Sequence, residues 1–493
     1  MNLNLLSTVL SILTIITTIV YLYCKHKLDY WRRRGIPQLK KPNLLFGHFK
    51  DAVLFKSPPG FYLGELYKKT ELPFVGFYIF HKPTLLLRDP EIIKQILIKD
   101  FNNFSDRNFA GSVQKDSIGM KNLFGLRNPQ WKYLRSKITP TLTRLKLKQM
   151  FALMMKTGEP MLEYIKMQDT RNGVKVLDTQ ELIYKYTTDV LASVALGTEN
   201  NSFDEPNTEF TKAVSKYFHC FKRMVALLTV FFVPELINII GMPVLYDSEF
   251  IKKVFWEAME KREKGGESRG DFIDSLLKLK NQKQDPIYKL EGENLLFQAG
   301  TFFGGFESSS TVASFTLLQL SRSAKFQDLA RKDVLRAIEK NGWTYESFNE
   351  MKFLDLCIAE TVRMNPPVAT VDRLAKEEYK IPGTEVTIEK GTSVYISLYG
   401  LHRDPKYFDK PDVFDPYRFD GNNFPDAYIP YGAGPRMCIG MKVGQLHAKL
   451  ITAMILSQYE IYQNEDVRNR LDARSTLTAA CGGIQMEFRR ITV

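Results

Sequence analysis

The chain has 493 residues, of which 44% are hydrophobic and 25% charged, and it carries a formal net charge of +13. These proportions are those of an ordinary globular protein, and they exclude a disordered chain, a collagen-like fibre and a membrane protein with many spans. The basic excess suggests an anionic partner such as nucleic acid, anionic lipid or an acidic protein, depending on where the charge lies.

The N-terminal segment is predicted to be a membrane anchor. Residues 1–24 carry no charged side chain, and residues 3–23 are long and apolar enough to cross a bilayer as one helix. Residues 25–41 then hold seven Lys or Arg side chains against Asp29, and positive residues after a span keep that side in the cytosol. Because basic residues do not precede the apolar run and no small-residue cleavage site follows it, we predict an uncleaved anchor with a lumenal N-terminus.

A short connection is expected to follow the anchor. Trp31 is predicted to lie in the membrane interface, where tryptophan is enriched. Gly35, Pro37 and Pro42 indicate a stiff, non-helical hinge. No composition break divides the remaining chain, so the predicted segments are an anchor over 1–24, a basic juxtamembrane and proline hinge over 25–42, and a catalytic domain over 43–493.

The rest of the chain reads as mostly helical with short strands. Runs rich in β-branched and aromatic residues predict strands over 74–80, 84–87, 377–381, 385–388 and 393–396. Amphipathic periodicity predicts helices over 91–99, 130–138, 146–156, 179–196, 209–228, 248–263, 290–322 and 441–459. The predicted fold class is therefore mainly α with small β-sheets (α+β), in a single large domain.

The helix predicted over 290–322 is unusual because Gly300, Gly304 and Gly305 lie inside it. Each glycine costs a helix interior about 1 kcal/mol relative to alanine. Three of them indicate a groove or a ligand pressed against the backbone, with a kinked core helix as the alternative.

The five cysteines are odd in number and include no C-x-x-C pair, which argues against a disulfide framework or a structural zinc site. Cys438 differs from the others because Gly432, Gly434 and Pro435 form a tight turn just before it and a predicted helix begins just after it. The positive end of a helix stabilises a thiolate. An unpaired thiolate beside glycines suits one metal bond to a planar cofactor.

This segment resembles the haem-binding signature F-x-x-G-x-R-x-C-x-G of the cytochrome P-450 superfamily. Gly434, Arg436, Cys438 and Gly440 match, and Tyr431 stands where the family has Phe. The resemblance implies a haem-thiolate domain that binds haem b (iron protoporphyrin IX), with Cys438 as the metal ligand and the other four residues around the cofactor. The amino-acid sequences of residues 30–37 and 305–309 are most similar to those of insect microsomal members of the detoxifying type.

Several arginines are candidates for holding the haem propionates. By the same resemblance, Trp131 and Arg135 form the family's W-x-x-x-R motif, and Arg436 and Arg373 are propionate donors, with Arg107 as a weaker candidate. Indole and guanidinium groups are pure donors, which suits carboxylate acceptors. For Arg107 and Arg373 the alternative is a surface salt bridge.

A Glu–Arg–Arg triad is also implied. Glu360 and Arg363 are spaced so that they face the same way on a helix, a pattern that means little by itself in so charged a chain. In the resembled family an Arg in a P-x-R-F segment, here Arg418, completes a buried triad that locks the cysteine-bearing loop.

The glycine-bearing helix contains the counterpart of the family's oxygen-activation motif. The resemblance implies that Gly304 and Gly305 leave a notch for dioxygen. It also implies that Glu307 and Ser308 are the catalytic acid and alcohol that relay protons. Ser308 replaces the usual Thr, so the hydroxyl is kept and the β-branch that restricts its rotamer is lost. The alternative is that these polar residues only pack in the core.

The implied function is insertion of one atom of dioxygen into lipophilic small molecules, either xenobiotics or endogenous lipids and hormones. Since the chain has no G-x-G-x-x-G motif or P-loop for NADPH, electrons should come from an NADPH-dependent flavin reductase, with cytochrome b5 as a further partner, at the endoplasmic reticulum membrane. The alternatives are a haem-thiolate isomerase or dehydratase acting on peroxides, and a non-catalytic binder of hydrophobic ligands. Substrate-contacting residues are expected within 109–126, 217–230, 297–308, 368–373 and 477–483.

The basic excess falls into two segments. Residues 25–41 carry +6 and residues 121–150 carry +8, which leaves the rest of the chain at −1. The first segment is expected to face lipid headgroups and the second to dock an acidic reductase through Lys132 and Lys137. Nucleic acid is therefore not needed to explain the charge.

Overall fold

The computed structural model describes residues 3–111, 119–168, 174–219, 221–236, 249–463 and 471–491. In its N-terminal half the helices are α1 (Leu3–Leu28), α2 (Tyr30–Arg33), α3 (Lys50–Val53), α4 (Pro59–Tyr67), α5 (Pro90–Lys94), α6 (Gln130–Ile138), α7 (Arg144–Met167), α8 (Thr179–Val190), α9 (Glu209–His219) and α10 (Phe221–Phe232). The C-terminal half contains α11 (Glu249–Glu263), α12 (Phe272–Lys280), α13 (Glu293–Ser321), α14 (Ala324–Asn341), α15 (Lys352–Met364), α16 (Leu398–Leu401) and α17 (Met441–Leu456).

Short π-helical segments extend α5 over Gln95–Lys99 and α8 over Leu191–Ala195, and 3-10 turns occupy Thr139–Leu142, Ser347–Asn349 and Pro416–Asn422. The strands are β1 (Phe74–Ile79), β2 (Lys82–Leu87), β3 (Lys175–Asp178), β4 (Thr370–Leu374), β5 (Tyr379–Lys380), β6 (Thr387–Ile388), β7 (Ser393–Ser397), β8 (Tyr459–Tyr462) and β9 (Gln485–Arg490). They form sheets in the orders β1-β2-β7-β4, β3-β9-β8 and β5-β6. The predicted fold class, mainly α with small sheets, is confirmed.

One apolar helix lies at the N-terminus. Within α1, residues Ser7–Leu28 are long and apolar enough to cross a membrane, and 6% of the apolar window is buried. Such a helix suits an anchor, because apolar side chains without protein neighbours require an apolar solvent. The divisions predicted at residues 24 and 42 stay predictions.

The interfacial position predicted for Trp31 is wrong. Its side chain is fully buried, and its indole Nε1 donates to the carbonyl of Phe77 over 3.1 Å. Gly76 makes room for the ring, since a Cβ there would lie 2.5 Å from it. Trp31 therefore packs against the large sheet, because β1 offers it both an acceptor and a gap without a side chain.

The large helical core surrounds α13, which packs against α8, α15 and α17. The predicted helix 209–228 is two helices, α9 and α10, and Cys220 between them lies outside the described residues. The predicted helix 146–156 extends to Met167 and contains Pro160. Gly158, two residues before Pro160, contacts Met454 of α17 so closely that a Cβ at this position would collide with that side chain. This packing stabilises α7 beyond its predicted end.

Candidate functional site

A cavity of about 350 Å³ lies between α10, α13, β4 and the loop before α17. Parts of all five segments expected to contact substrate line it, including Leu123, Leu227, Phe302, Val371 and Leu477. Residues 112–118 of the first segment lie outside the described residues. The cavity wall is largely apolar away from the cysteine loop, which suits an apolar ligand.

The cysteine loop is shaped by two glycines. Gly432 and Gly434 adopt φ of 73° and 71°, a backbone conformation that side chains disfavour. A Cβ on Gly434 would also collide with the carbonyl of Leu97, so this glycine packs against the π-helical segment rather than lining the cavity. The turn is closed by the N–H of Cys438, which donates to the carbonyl of Tyr431 over 3.0 Å.

Cys438 is exposed, and the space to which it is exposed is the cavity. Protein atoms surround it otherwise, so burial raises the pKa of its thiol, while the N–H of Gly440 and the charges of Arg107 and Arg135 oppose that rise. α17 begins directly after Gly440. The charge of a metal ion bound to the sulfur would favour the thiolate.

The space around Cys438 suits a flat group. A Cβ on Gly432 or Gly440, or on Gly304 or Gly305 of α13, would have no atom within 4 Å, and all four glycines line the cavity. Side chains at these positions would fill that space. Tyr431 also lines the cavity, and its pKa is raised by burial, with a hydrogen bond to Gln445 acting in the opposite direction.

Arginines gather at one end of this space. Arg107, Arg135, Arg373 and Arg436 line the cavity, with Asp372 as the acidic lining residue among them. The pKa of Arg436 is lowered to about 9 and that of Arg373 to about 10, mainly by burial, and the positive charge of Arg107 contributes to both shifts. Asp106 also lies 3.4 Å from Arg436, so four arginines face two carboxylates and the cluster has an excess of positive charge.

Some buried N–H donors of this arginine cluster have no acceptor among the described residues. Arg107 and Arg373 each hold a buried Nε, and Arg436 a buried Nη1, without an acceptor in the part of the chain that the structure describes. The Arg436 guanidinium stacks 4.2 Å from the ring of Trp131 and donates through Nη2 to the carbonyl of Leu126 over 2.7 Å. A planar group with two carboxylates would supply both the missing charge and the missing acceptors, so the residues fit haem. The surface salt bridges considered for Arg107 and Arg373 are excluded, because both side chains face this enclosed site.

Ser308 and Glu307 of α13 both line the cavity, but their side chains have different hydrogen-bond partners. Ser308 Oγ donates to the carbonyl of Gly305 over 2.8 Å. Glu307 is ion-paired with Arg223 of α10 through two hydrogen bonds of 3.1 and 2.5 Å. The carboxylate predicted as a proton-relay acid is thus held by a guanidinium, and its relay role stays a prediction.

The structure brings Glu360, Arg363 and Arg418, the triad implied by the resemblance, into contact. Arg363 Nε and Nη2 donate to the two carboxylate oxygens of Glu360 over 2.7 and 2.8 Å, and both side chains are fully buried. Arg418 Nε lies 3.4 Å from Glu360 Oε1. The Glu360–Arg363 pair is therefore a buried structural contact.

Two charged residues of the site, Arg223 and Asp372, lie in segments predicted to contact substrate but were not singled out from the sequence. Arg223 is the last charged residue before the apolar run 224–233. A charged residue at the start of an apolar segment can be recognised in the sequence, so this residue could have been singled out. Asp372 lies on β4 directly before Arg373, and its carboxylate accepts the N–H of Asn108 over 2.6 Å. Its partner is distant in sequence, so local pattern gives no indication of it.

Comparison with known proteins gives a consistent result. The family model described as cytochrome P450 matches residues 37–486. Cytochrome P450 6k1 of Blattella germanica is 36% identical over 98% of this chain and 97% of its own length. Cytochrome P450 6j1 of the same organism is 35% identical over 99% and 98%, and probable cytochrome P450 6g2 of Drosophila melanogaster is 34% identical over 96% of each.

Proposed function

The chain belongs to the cytochrome P450 family of cysteine-ligated haem enzymes, and from this premise we propose that it oxidises lipophilic small molecules with electrons from an NADPH-dependent flavin reductase. The family supports a haem-dependent monooxygenase. The observation that carries the proposal is Cys438 facing an apolar cavity beside an arginine cluster with unused donors.

Each side chain of the site has a proposed task. Bound haem supplies the reductive activation of dioxygen. Cys438 binds the iron, while Trp131, Arg135, Arg373 and Arg436 hold the propionates, with Arg107 as a further donor. Tyr431, Gly434 and Gly440 shape the loop and the space beside it. Ser308 holds a proton at its Oγ on the cavity wall, and Glu307 is the acid that replenishes it.

The proposal is tested by turnover. Purified holoprotein with reductase should consume NADPH and oxygen in a manner that depends on an added lipophilic compound. Turnover of a hydroperoxide alone, with none in the presence of reductase, would favour an isomerase or dehydratase, whereas tight ligand binding without any turnover would indicate a binder. Retention of both Glu307 and Ser308 on the cavity wall supports the monooxygenase.

Replacing Ser308 with threonine should raise the fraction of consumed NADPH that appears in product. In this structure Ser308 Oγ donates to its own helix, and the β-branch of threonine leaves fewer rotamers for the hydroxyl. We expect a fall of about twofold or more in hydrogen peroxide per NADPH, since general acid–base groups contribute about 10²–10⁴-fold when correctly placed. Ser308→Ala is the control and should raise peroxide; equal peroxide yields for the wild-type protein and the Ser308→Thr variant would contradict the relay argument.

We further propose that residues 121–150 dock the reductase and that cytochrome b5 competes for the same face. Lys132 is exposed and Lys137 half-buried on α6, the helix that also carries Trp131 and Arg135 of the cavity wall. An acidic partner on this face would therefore lie close to the haem. The membrane proposal is consistent with this arrangement: α1 anchors the chain in the endoplasmic reticulum, and the basic residues after it lie on the cytosolic side.

Charge reversal should test the docking face. Lys132→Glu and Lys137→Glu should each slow reduction by the reductase about threefold to tenfold at low ionic strength, and less at high salt, because steering is screened. The matched control is Lys261→Glu, which makes the same charge change on α11. The rate of first-electron transfer is measured by stopped flow at low and at high ionic strength. Equal rates for Lys132→Glu and Lys261→Glu at low ionic strength would exclude this face as the docking site.

A further inference from the structure

The Arg223–Glu307 pair is a buried ion pair on the wall of the cavity. Arg223 is 8% exposed and Glu307 is 7% exposed, and the two groups meet in a bidentate contact. The partners come from α10 and α13, elements 84 residues apart in sequence at the contact. Both side chains line the cavity.

Arg223 and Glu307 carry equal and opposite charges. Tyr184 of α8 is the neighbouring ionisable group, and burial together with the charge of Glu307 raises the pKa of its phenol, which therefore stays neutral. The other charged residues among those described on the cavity wall belong to the arginine cluster at the cysteine loop: Arg107, Arg135, Asp372, Arg373 and Arg436. The same helices, α10 and α13, also contribute apolar side chains such as Leu227, Phe231 and Phe302 to the wall.

A charged ligand would meet a specific obstacle here. A carboxylate that enters would be repelled by Glu307 unless it displaced that residue from Arg223, and an ammonium group would have to displace Arg223 from Glu307. Either exchange breaks a buried, bidentate ion pair, which is strongly unfavourable. An uncharged ligand leaves the pair intact.

We propose that the Arg223–Glu307 pair is a charge filter that makes this cavity select uncharged lipophilic molecules, and that either partner alone would select ligands of the opposite charge. This inference deepens the proposed function, on which it rests, because it names the charge state of the substrate class. Arg223 and Glu307 are thereby specificity-determining residues, whatever part Glu307 takes in proton transfer.

The test uses three ligands of one chain length: decanol, decanoate and decyltrimethylammonium. Dissociation constants for the holoprotein are measured by calorimetry and by the binding-induced absorbance shift. The wild-type protein should bind decanol best. In Glu307→Gln the ratio of the decanoate to the decanol constant should fall at least about tenfold, and in Arg223→Met the corresponding ratio for decyltrimethylammonium should fall by a similar factor, since close charge pairs have large coupling energies.

Two controls separate charge from shape. Arg223→Lys keeps both charges and should keep the wild-type order of affinities. The double variant Arg223→Met, Glu307→Gln removes both charges and should again prefer decanol, with neither ion favoured. The two single variants are independent arms, so the variant that yields holoprotein decides the question if the other does not.

Unchanged ratios in the single variants would overturn the filter while leaving the proposed function in place. Failure of the wild-type holoprotein to bind any of the three ligands would overturn the lipophilic substrate class itself, and the filter with it. Stronger binding of decanoate than of decanol by the wild-type protein would also overturn the filter.

Discussion

Replacing Cys438 with alanine should abolish the thiolate-type Soret band of the reduced, carbon-monoxide-bound protein and lower turnover to below about one-hundredth of the wild-type value. Loss of a mere outer-shell partner of a metal ligand already costs about 10–100-fold, and Cys438 is the proposed ligand itself. Difference spectra and NADPH-dependent turnover measure the two effects.

The chain should remain folded in this variant. The Cys438 side chain faces the cavity rather than a packed neighbour, and the loop keeps its contacts through Gly434 and through the hydrogen bonds of Arg436 to the carbonyls of Ser105 and Leu126. Circular dichroism should therefore match the wild type. Weaker cofactor binding should still lower the thermal midpoint, because a ligand stabilises the state that binds it.

The matched control is Cys481→Ala, which removes another exposed, unpaired thiol. It should retain the Soret band. A thiolate-type band that persists in Cys438→Ala would assign the ligand to another residue. Absence of the band in well-folded wild-type protein would contradict thiolate ligation altogether.

The parts of the site that could be predicted from the sequence are those encoded by short, contiguous sequence motifs. The turn at Gly432 and Gly434, the thiol of Cys438 and the start of α17 lie within ten residues, so local stereochemistry determines their arrangement. The same holds for Glu360 and Arg363, which are one helical turn apart. For Arg418 the resemblance, rather than spacing, supplied the third member.

Contacts between distant segments could not be predicted in this way. The pairing of Glu307 with Arg223 depends on how α10 crosses α13, and no local period encodes that crossing. β3 and β9 were missed because β3 is short and half-buried, and its partner lies over 300 residues away. Trp31 was misplaced for a similar reason, since the gap at Gly76 that receives it appears only in the folded sheet.

The second large effect is expected at the triad, where Arg363→Ala should prevent accumulation of stable holoprotein. Removing one partner of a buried ion pair costs about 3–5 kcal/mol, because the other charge is left uncompensated. Arg363 also donates to the carbonyls of His402 and Pro411, each over 2.7 Å, and these acceptors would lose their donors. Holoprotein yield and the thermal midpoint are the measurements.

The effect should extend to the cysteine loop through the segment before it. His402 accepts the N–H of Ile429 over 3.2 Å, and the hydroxyl of Tyr428 donates to the carbonyl of Ala359 on α15 over 2.9 Å. Tyr428 and Ile429 lead directly into the loop that carries Cys438. Loss of Arg363 therefore loosens the residues that hold the loop in place, so haem should dissociate at a lower temperature than the one at which the helices unfold.

Graded variants distinguish this role from general destabilisation. Arg418→Ala should be milder than Arg363→Ala, since Arg418 is 12% exposed and its contact to Glu360 is longer, at 3.4 Å. The matched control is Lys332→Met, which breaks the exposed pair with Asp328 and should cost less than about 1 kcal/mol. Glu360→Leu combined with Arg363→Met removes both buried charges and should recover part of the yield lost in Arg363→Ala. If Arg363→Ala retained haem as well as Lys332→Met does, the triad would not be what fixes the loop, and the hydrogen bonds of Tyr428 and His402 would have to suffice without it.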